Sequence, residues 1–293
     1  MKNELVQNFK INLEEDGKSP KTIESYVGDT SAFVAFLESK GVDFNGEMKR
    51  FYITSYRNYL IEKQYELSTI NKKVNSIQSF NKYLVDNDYA KDVVVDIAKD
   101  SVKLAYGSER QVEVLTESQV EKILFYIQND EKVSKRNRMI ILLLLYTGLR
   151  VSELYEIKIK NIDFLTAHLK VFGKGGKVRE VPLKLEVVEA VKEYLVERSS
   201  NPFANSEYLL VGQRGVLQRD AINTLLEKLT VKIGIDVRLK PHTFRHTFCT
   251  RLVSKGVPLT TVSKLAGHSS IDTTARFYIN SSKEEKMRAV SLL

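Results

Sequence analysis

The feature that most constrains this chain is an unbroken apolar run of eight residues, from Met139 to Tyr146. Such a run offers no polar face to water, so it predicts a helix that is buried on every side. It is too short to cross a bilayer, which requires about 20 residues. Gly148 is expected to end the helix. The charged Arg150 then follows at the end of a buried element, where it needs a partner or a cleft.

The first hundred residues have apolar side chains at helical spacing. Ser19 and Pro20 are expected to cap and start a helix that lasts until Gly41. Further helices are predicted at about 53–63 and 68–86. We therefore interpret residues 1–100 as a small all-helical domain, followed by a linker at 101–113 that lacks a sustained apolar period.

The second half, residues 114–293, starts with capping-box spacing from Thr116 to Gln119. Between residues 168 and 183, apolar and polar residues alternate on either side of a glycine-rich stretch. This pattern predicts a β-hairpin. The remainder favours helices at about 186–198, 219–233, 242–255, 259–266 and 271–279, with another capping box at Ser282. The predicted fold class is mainly α, with one small antiparallel sheet in the second domain and a short tail at 280–293.

Charge separates the two halves of the chain. The net charge is +8, of which residues 1–107 contribute −1 and residues 108–293 contribute +9. A basic domain is compatible with a polyanion partner such as nucleic acid, and equally with simple solvation. The one cysteine, Cys249, excludes an internal disulfide and suits a reducing cytoplasm. The early residues become acidic where a signal peptide would be apolar, and no membrane association is expected.

Two sites place polar residues where a fold does not require them. Arg150 has a ready helical partner in Glu153, three residues later. His242 and Arg245 lie three apart at the start of a helix, so they share one face and can donate to one anion. A zinc site built on the spacing of His242, His246 and Cys249 is an alternative, although the usual glutamate after the first histidine is absent.

The hairpin tip carries Lys174 and Lys177, which are either solvated or able to reach a phosphate. The spacing of a P-loop is absent, so no nucleotide site is predicted. Tyr278 stands ten residues after His268. In a chain with 14 tyrosines, a half-buried aromatic on an amphipathic helix is the simpler interpretation of Tyr278 when it is considered alone.

Together, these segments resemble the tyrosine recombinase (phage integrase) family. Four boxes match in order over about 130 residues, and the N-terminal half is similar to the core-binding domain of integrases and Xer-type recombinases. The matching boxes are Thr147–Leu154, Gly173–Leu183, His242–Phe248 and Leu265–Tyr278, and the N-terminal matches are Ser19–Ile23 and Leu67–Lys73. Because the similarity begins near residue 5, we expect a simple Xer-like or transposon-encoded enzyme without an arm-binding domain.

The resemblance implies a role for each matching residue. Arg150 and Arg245 would bind the scissile phosphate, with Glu153 supporting the first arginine. Lys174 would be the general acid, with Lys177 as the alternative. His242 would be an acid–base partner, His268 a hydrogen-bond donor to the phosphate and Tyr278 the nucleophile, since Phe277 at the nine-residue spacing cannot attack. No metal, ATP or other cofactor is then expected.

The resemblance also implies partners: a double-stranded recombination site, a homotetramer on two duplexes and, in some settings, accessory proteins. Met287, Val290 and Leu293 form an apolar face on the tail, which would dock on a neighbouring protomer or fold back on its own domain. A type IB topoisomerase is the main alternative enzyme, and a DNA-binding protein without activity is the alternative outside catalysis. A phosphatase or nuclease would release its product instead of storing it on Tyr278.

Overall fold

The computed structural model describes residues 2–103, 113–173, 176–268, 270–271, 275 and 291. It divides the chain into two compact units, Met1–Arg110 and Gln111–Leu293. Much of the predicted linker, residues 104–112, lies outside the described residues, as do the predicted helix at 271–279 and the capping box at Ser282, except for residues 271 and 275. None of the helices in the described ranges is long and apolar enough to span a membrane.

Five helices form the first unit in the described residues. Their bounds are Lys2–Glu15 (α1), Pro20–Ser39 (α2), Arg50–Glu62 (α3), Leu67–Asp86 (α4) and Ile97–Asp100 (α5). The predicted cap is confirmed, since the Ser19 hydroxyl accepts from Thr22 N and Pro20 opens α2. Aromatic rings fill the core, with the centroids of Phe9 and Phe80 5.2 Å apart. Helix α1 was not predicted from the sequence.

The second unit is mostly helical. Its helices are Glu117–Asn129 (α6), Lys135–Thr147 (α7), Val151–Tyr155 (α8), Leu185–Arg198 (α9), Arg219–Ile233 (α10), Pro241–Ser254 (α11) and Leu259–Ala266 (α12), with a 3₁₀ turn at Ile159–Asn161. The predicted capping box at Thr116 and Gln119 is confirmed. Helix α7 holds the apolar run, and residues 139–145 are buried. It packs mainly against α9 and α11, which explains why its sequence has no polar face.

The predicted fold class, mainly helical with a small antiparallel sheet in the second unit, is confirmed, and the described residues include a second sheet of two short strands. Strands Ile162–Asp163 (β1), His168–Phe172 (β2) and Val178–Pro182 (β3) make an antiparallel sheet in that order. The predicted hairpin is confirmed as β2 and β3, with Leu169 opposite Val181. A second hairpin pairs Val211–Gly212 (β4) with Gly215–Val216 (β5). Its two-residue strands are too short to show an alternating pattern in the sequence.

Helix α11 is tied to the segment that enters the second unit. The Thr247 hydroxyl accepts from Leu115 N at 2.9 Å and donates to Thr243 O at 2.8 Å. Thr247 is buried, so these bonds are shielded from water. They fix the start of the unit against the helix that carries His242 and Arg245.

Candidate active site

The turn between α7 and α8 is packed directly against α11. Gly148 caps α7 with a positive φ of 60°, the left-handed conformation that favours glycine. A Cβ atom at this position would lie 2.4 Å from Phe248 Cδ1. The Gly148 carbonyl in turn accepts from Arg245 Nη1 at 2.6 Å. The same turn therefore ends the buried helix, holds Arg245 and presents Arg150 two residues later.

Arg245 is a buried cation that lies close to Arg150. Only 3% of its surface is exposed, and in the described part of the chain its Nη2 atom has no hydrogen-bond partner. Burial and the nearby charge of Arg150 lower the pKa of Arg245 to about 10, so it stays protonated at neutral pH. A buried donor without an acceptor is costly. An anion that accepts from Nη2 would remove that cost.

Arg150 stands at the start of α8 and is held by Glu153. Its backbone N–H donates to Glu153 Oε2 and its Nη1 to Glu153 Oε1, both at 2.8 Å. Its Nη2 donates to the carbonyl of Gly267, beyond α12. The predicted pair with Glu153 is therefore present. About 36% of the Arg150 side chain is exposed, so it can still meet a ligand.

A second arginine, Arg179 on β3, binds the other side of Glu153. Its Nη1 and Nη2 atoms donate to Oε1 and Oε2 of Glu153, each at 2.8 Å, and its Nε donates to Leu265 O at 2.9 Å. Burial alone would raise the pKa of Glu153, but hydrogen bonds from Arg179 and from the Arg150 backbone outweigh burial and lower it. Glu153 is thus a buried carboxylate shared by two arginines.

The histidines near these arginines are held in the neutral form. Burial, followed by repulsion from Arg245 and Arg150, lowers the pKa of His268 to about 4. Burial also lowers the pKa of His246 to about 4, and its ring stacks on that of His242 with centroids 5.9 Å apart. The pKa of His242 is lowered by desolvation of its ring and by Arg245. A neutral imidazole has one ring nitrogen that donates a hydrogen bond and one that accepts.

The arrangement does not favour the alternative zinc site. Cys249 is fully buried, and burial raises the pKa of its thiol to about 11, which disfavours the thiolate that metals bind. Across the described ranges, no three His, Cys, Asp or Glu side chains are grouped to hold a metal ion.

Comparisons with known proteins assign this arrangement to a family. Residues 113–285 match the phage integrase family model, and residues 5–91 match the model of its N-terminal SAM-like domain. The chain belongs to the phage integrase family. Members of this family are tyrosine recombinases, and the chain is accordingly a DNA strand-transferring enzyme with the fold of that family.

The similarity to known recombinases covers almost the whole chain. Tyrosine recombinase XerC of Staphylococcus saprophyticus is 31% identical over 264 residues, which are 88% of this chain and 86% of that protein. A tyrosine recombinase of Pseudothermotoga lettingae is 30% identical over 294 residues, 99% of this chain and 98% of that protein. The Tn1549 transposon integrase, solved in complex with transposon right end DNA, has a TM-score of 0.73 at 24% identity, covering 99% of both chains.

The site residues expected of a tyrosine recombinase are partly within the described structure. Arg150, Glu153 and Arg245 converge on the turn after α7, and His268 follows the Gly267 carbonyl that binds Arg150. His242 lies one turn before His246 on α11, near Arg245. The predicted general acid Lys174 and nucleophile Tyr278 lie outside the described residues. The catalytic roles of all these residues, described or not, stay predictions.

The tip of the hairpin is close to this candidate site, and the choice between its lysines stays open. Gly173 N donates to Lys177 O at 2.7 Å, which closes the tip around three residues. A Cβ atom on Gly173 would lie 3.8 Å from Glu153 Oε1. Lys177 is exposed. Gly173, where the tip begins, therefore lies beside Glu153, whichever lysine acts.

Sequence reasoning missed Arg179. Its position between Val178 and Glu180, on an alternating strand, made it look like part of a solvated face. The side chain is instead only 13% exposed. Its partners Glu153 and Leu265 are 26 and 86 residues away, and no local pattern predicts such a separation. A charged residue on a strand beside a glycine-rich tip was the one available signal.

Proposed function

We propose that this protein is a site-specific recombinase that cleaves and rejoins DNA through a covalent 3′-phosphotyrosyl bond at Tyr278, in integration, excision or resolution. The observation that carries the proposal is Arg245, a buried guanidinium near Arg150 whose Nη2 atom has no hydrogen-bond partner among the described residues. Arg150 and Arg179 share the one carboxylate of Glu153, and Arg245 adds a further positive charge, so the arginines keep an excess of positive charge that suits a phosphodiester anion. The similarity to tyrosine recombinases along the whole chain supports the same reaction.

In the proposed reaction, the arginines neutralise the phosphate while bonds are exchanged. Arg150 and Arg245 donate to the non-bridging oxygens and stabilise the extra charge of the pentavalent transition state. His268 adds a neutral hydrogen-bond donor, consistent with its lowered pKa. The phosphate would complete the coordination that Arg245 Nη2 lacks within the described residues.

Proton transfers accompany attack and departure. The phenol oxygen of Tyr278 bonds to phosphorus and its proton passes to His242, whose lowered pKa means that the ring is neutral when the phenol attacks. The P–O5′ bond breaks and Lys174, or alternatively Lys177, protonates the departing 5′-oxygen. A 5′-hydroxyl from another strand then attacks the phosphotyrosyl bond and reverses these steps. The bond energy is conserved throughout, so this scheme needs neither ATP nor a metal.

The proposed organisation follows from the same function. Residues 1–100 would form the core-binding domain, 101–113 the linker and 114–293 the catalytic domain, with its excess positive charge facing DNA. Four copies would act on two duplexes, each tail at 280–293 docking on a neighbour, with accessory proteins setting direction where they are needed. The tail lies outside the described residues except for residue 291. With DNA as its substrate and a single reduced cysteine, the protein would act in the cytoplasm.

Trapping the covalent intermediate tests the proposal. The protein is incubated with a suicide duplex that carries its candidate recombination site, and denaturing gels report the protein–DNA adduct. We expect an adduct from wild type, none from Tyr278→Phe, and an unchanged adduct from Tyr65→Phe, a control at a tyrosine that is 45% exposed. Tight binding without an adduct would refute the covalent mechanism. An adduct with Tyr278→Phe would mean that another tyrosine attacks.

Partner choice needs a second assay on the same preparation. A plasmid with two sites distinguishes recombination from relaxation, because a topoisomerase of type IB chemistry changes linking number without exchanging partners. We expect recombined products, and supercoil relaxation alone would favour the topoisomerase alternative. Truncation before Asn280 tests the tail, since unchanged recombination would contradict docking on a neighbour.

A further inference from the structure

All three nitrogens of the Arg179 guanidinium donate hydrogen bonds within the protein. Nη1 and Nη2 bind the two oxygens of Glu153, while Nε binds the Leu265 carbonyl at the end of α12. The side chain is 13% exposed, against 36% for Arg150. A guanidinium used in this way is placed to orient its neighbours and poorly placed to meet DNA directly.

The first neighbour that Arg179 affects is Arg150. Glu153 accepts from the backbone and Nη1 of Arg150 as well as from Arg179. Two cations therefore share one carboxylate, and the trio retains a net positive charge. Without Arg179, the full charge of a buried carboxylate would act on Arg150 and cancel the charge that a phosphate needs.

The second neighbour is the backbone that leads into His268. Arg150 Nη2 binds the Gly267 carbonyl, and Arg179 Nε binds the Leu265 carbonyl two residues earlier. Gly267 has a φ of 69°, and a Cβ there would lie 2.7 Å from Arg179 Nη1. The guanidinium thus packs against this glycine, and both arginines fix the segment immediately before His268.

We propose that Arg179 is a positioning residue for strand cleavage, which holds Glu153 and the end of α12 so that Arg150 keeps its charge and His268 keeps its place at the scissile phosphate. This role rests on the proposed function, because it supposes that Arg150 and His268 meet a phosphodiester. Arg179 does not belong to the predicted catalytic set. Its role would connect strand β3 to Arg150 and His268, the two residues proposed to meet the phosphate.

Single-turnover cleavage on two substrates tests the role. Arg179→Gln is compared with wild type on suicide duplexes that carry either a phosphodiester or an uncharged methylphosphonate at the scissile position. The matched control is Arg251→Gln, which breaks an arginine–glutamate pair of similar geometry with Glu117, at 2.8 and 3.0 Å. DNA affinity and urea unfolding are measured for each variant.

We expect Arg179→Gln to bind DNA within about threefold of wild type and to form adduct about 100-fold more slowly on the phosphodiester, the size of effect that loss of one transition-state donor produces. The loss of cleavage rate should be at least tenfold smaller on the methylphosphonate. A neutral linkage does not need the positive charge of Arg150, which Glu153 would cancel once Arg179 is removed. Arg251→Gln should match wild type on both substrates. Arg179→Lys, which keeps the charge without the fork, should lose less than Arg179→Gln.

Other outcomes would overturn the proposal. Equal deficits on both substrates would mean that Arg179 only maintains the fold, and weaker DNA binding with a normal saturated rate would mean that it contacts DNA itself. A normal rate in Arg179→Gln would make the role wrong. If Arg179→Gln fails to fold, the same comparison is made with Arg179→Lys. Absence of an adduct from wild type would instead refute the proposed function, which separates the two failures.

Discussion

Replacement of Gly148 by alanine should damage the second unit far more than the same change at another helix end. Gly148 and Gly234 both cap helices in the left-handed conformation, with φ values of 60° and 57°. An added methyl group at Gly234 would meet nothing within 4 Å. At Gly148 it would lie 2.4 Å from Phe248 Cδ1 and 2.8 Å from Cε1. The two sites therefore share the backbone strain and differ in the steric clash.

The expected magnitudes follow from these two contributions. A non-glycine residue in the left-handed region costs about 1–2 kcal/mol. Overpacking a well-packed site adds about 1–3 kcal/mol. We expect Gly234→Ala to lower the free energy of unfolding by about 1–2 kcal/mol and Gly148→Ala by roughly 2–5 kcal/mol, from the sum of these costs. The difference isolates the contact between Gly148 and Phe248.

Urea unfolding of the two variants, followed through the transition of the second unit, measures this difference. Strand cleavage should also fall in Gly148→Ala alone, because the Gly148 carbonyl binds Arg245. The double variant Gly148→Ala/Phe248→Ala should lose less stability than the sum of its parts, since the clash is gone. Equal losses from Gly148→Ala and Gly234→Ala, with additive behaviour in the double variant, would refute the packing argument.

Three further predictions concern charge. Because the pKa values of His246 and His268 are lowered to about 4, the unfolded chain takes up protons that the folded chain does not. Above pH 6.5 the two histidines should therefore not reduce the free energy of unfolding. As the pH falls from 6.5 to 5, the free energy of unfolding should decrease by roughly 1.4 kcal/mol per pH unit for each histidine, as measured by urea unfolding at a series of pH values. Arg198 is buried and binds four carbonyls within residues 204–209. Arg198→Lys should lower the free energy of unfolding by about 2–4 kcal/mol, because buried acceptors lose their donors. Arg245→Met should unfold at no lower urea concentration than wild type, since it removes a buried charge whose Nη2 atom has no hydrogen-bond partner among the described residues, yet it should cleave about 100-fold more slowly or worse.

Each of these predictions has its own control. His246→Gln should reduce the pH slope, and a stability that is flat between pH 6.5 and 5 would contradict the neutral histidines. Arg251→Lys, at a more exposed arginine–glutamate pair, should change stability by less than about 1 kcal/mol. If Arg251→Lys lowers the free energy of unfolding as much as Arg198→Lys does, the hydrogen bonds from Arg198 to the four carbonyls are not the cause of the loss in Arg198→Lys. Sulfate should stabilise wild type more than Arg245→Met, and equal stabilisation would argue against an anion at Arg245.

The parts of the fold that local physics dictates were predictable from the sequence. The apolar run became α7, Gly148 ended it, and the caps at Ser19 and Thr116 formed as their spacing predicted. The pair of Arg150 and Glu153 also followed from helical spacing. In each case, the residues that decide the structure lie within a few positions of one another.

The rest depends on contacts between distant residues. Arg179 binds Leu265, 86 positions away, and Arg150 binds Gly267, 117 positions away. Neither pair produces a periodic pattern in the sequence. The same holds for Arg245 and the Gly148 carbonyl, 97 positions apart. Resemblance to a family supplied the expected roles of Arg150 and Arg245, but the part of Arg179 became visible only through three-dimensional packing.

The bond between Leu115 and Thr247 has a mechanical consequence. Leu115 is among the first described residues of the second unit, and its N–H is anchored on α11 before α6 begins. Tension applied to the chain from its N-terminal side therefore meets a hydrogen bond to α11, the helix that carries His242 and Arg245, before it reaches α6. Pulling through this point in an optical trap would load the candidate site before it unravels the α6 helix, and Thr247→Val would shift that first load to α6.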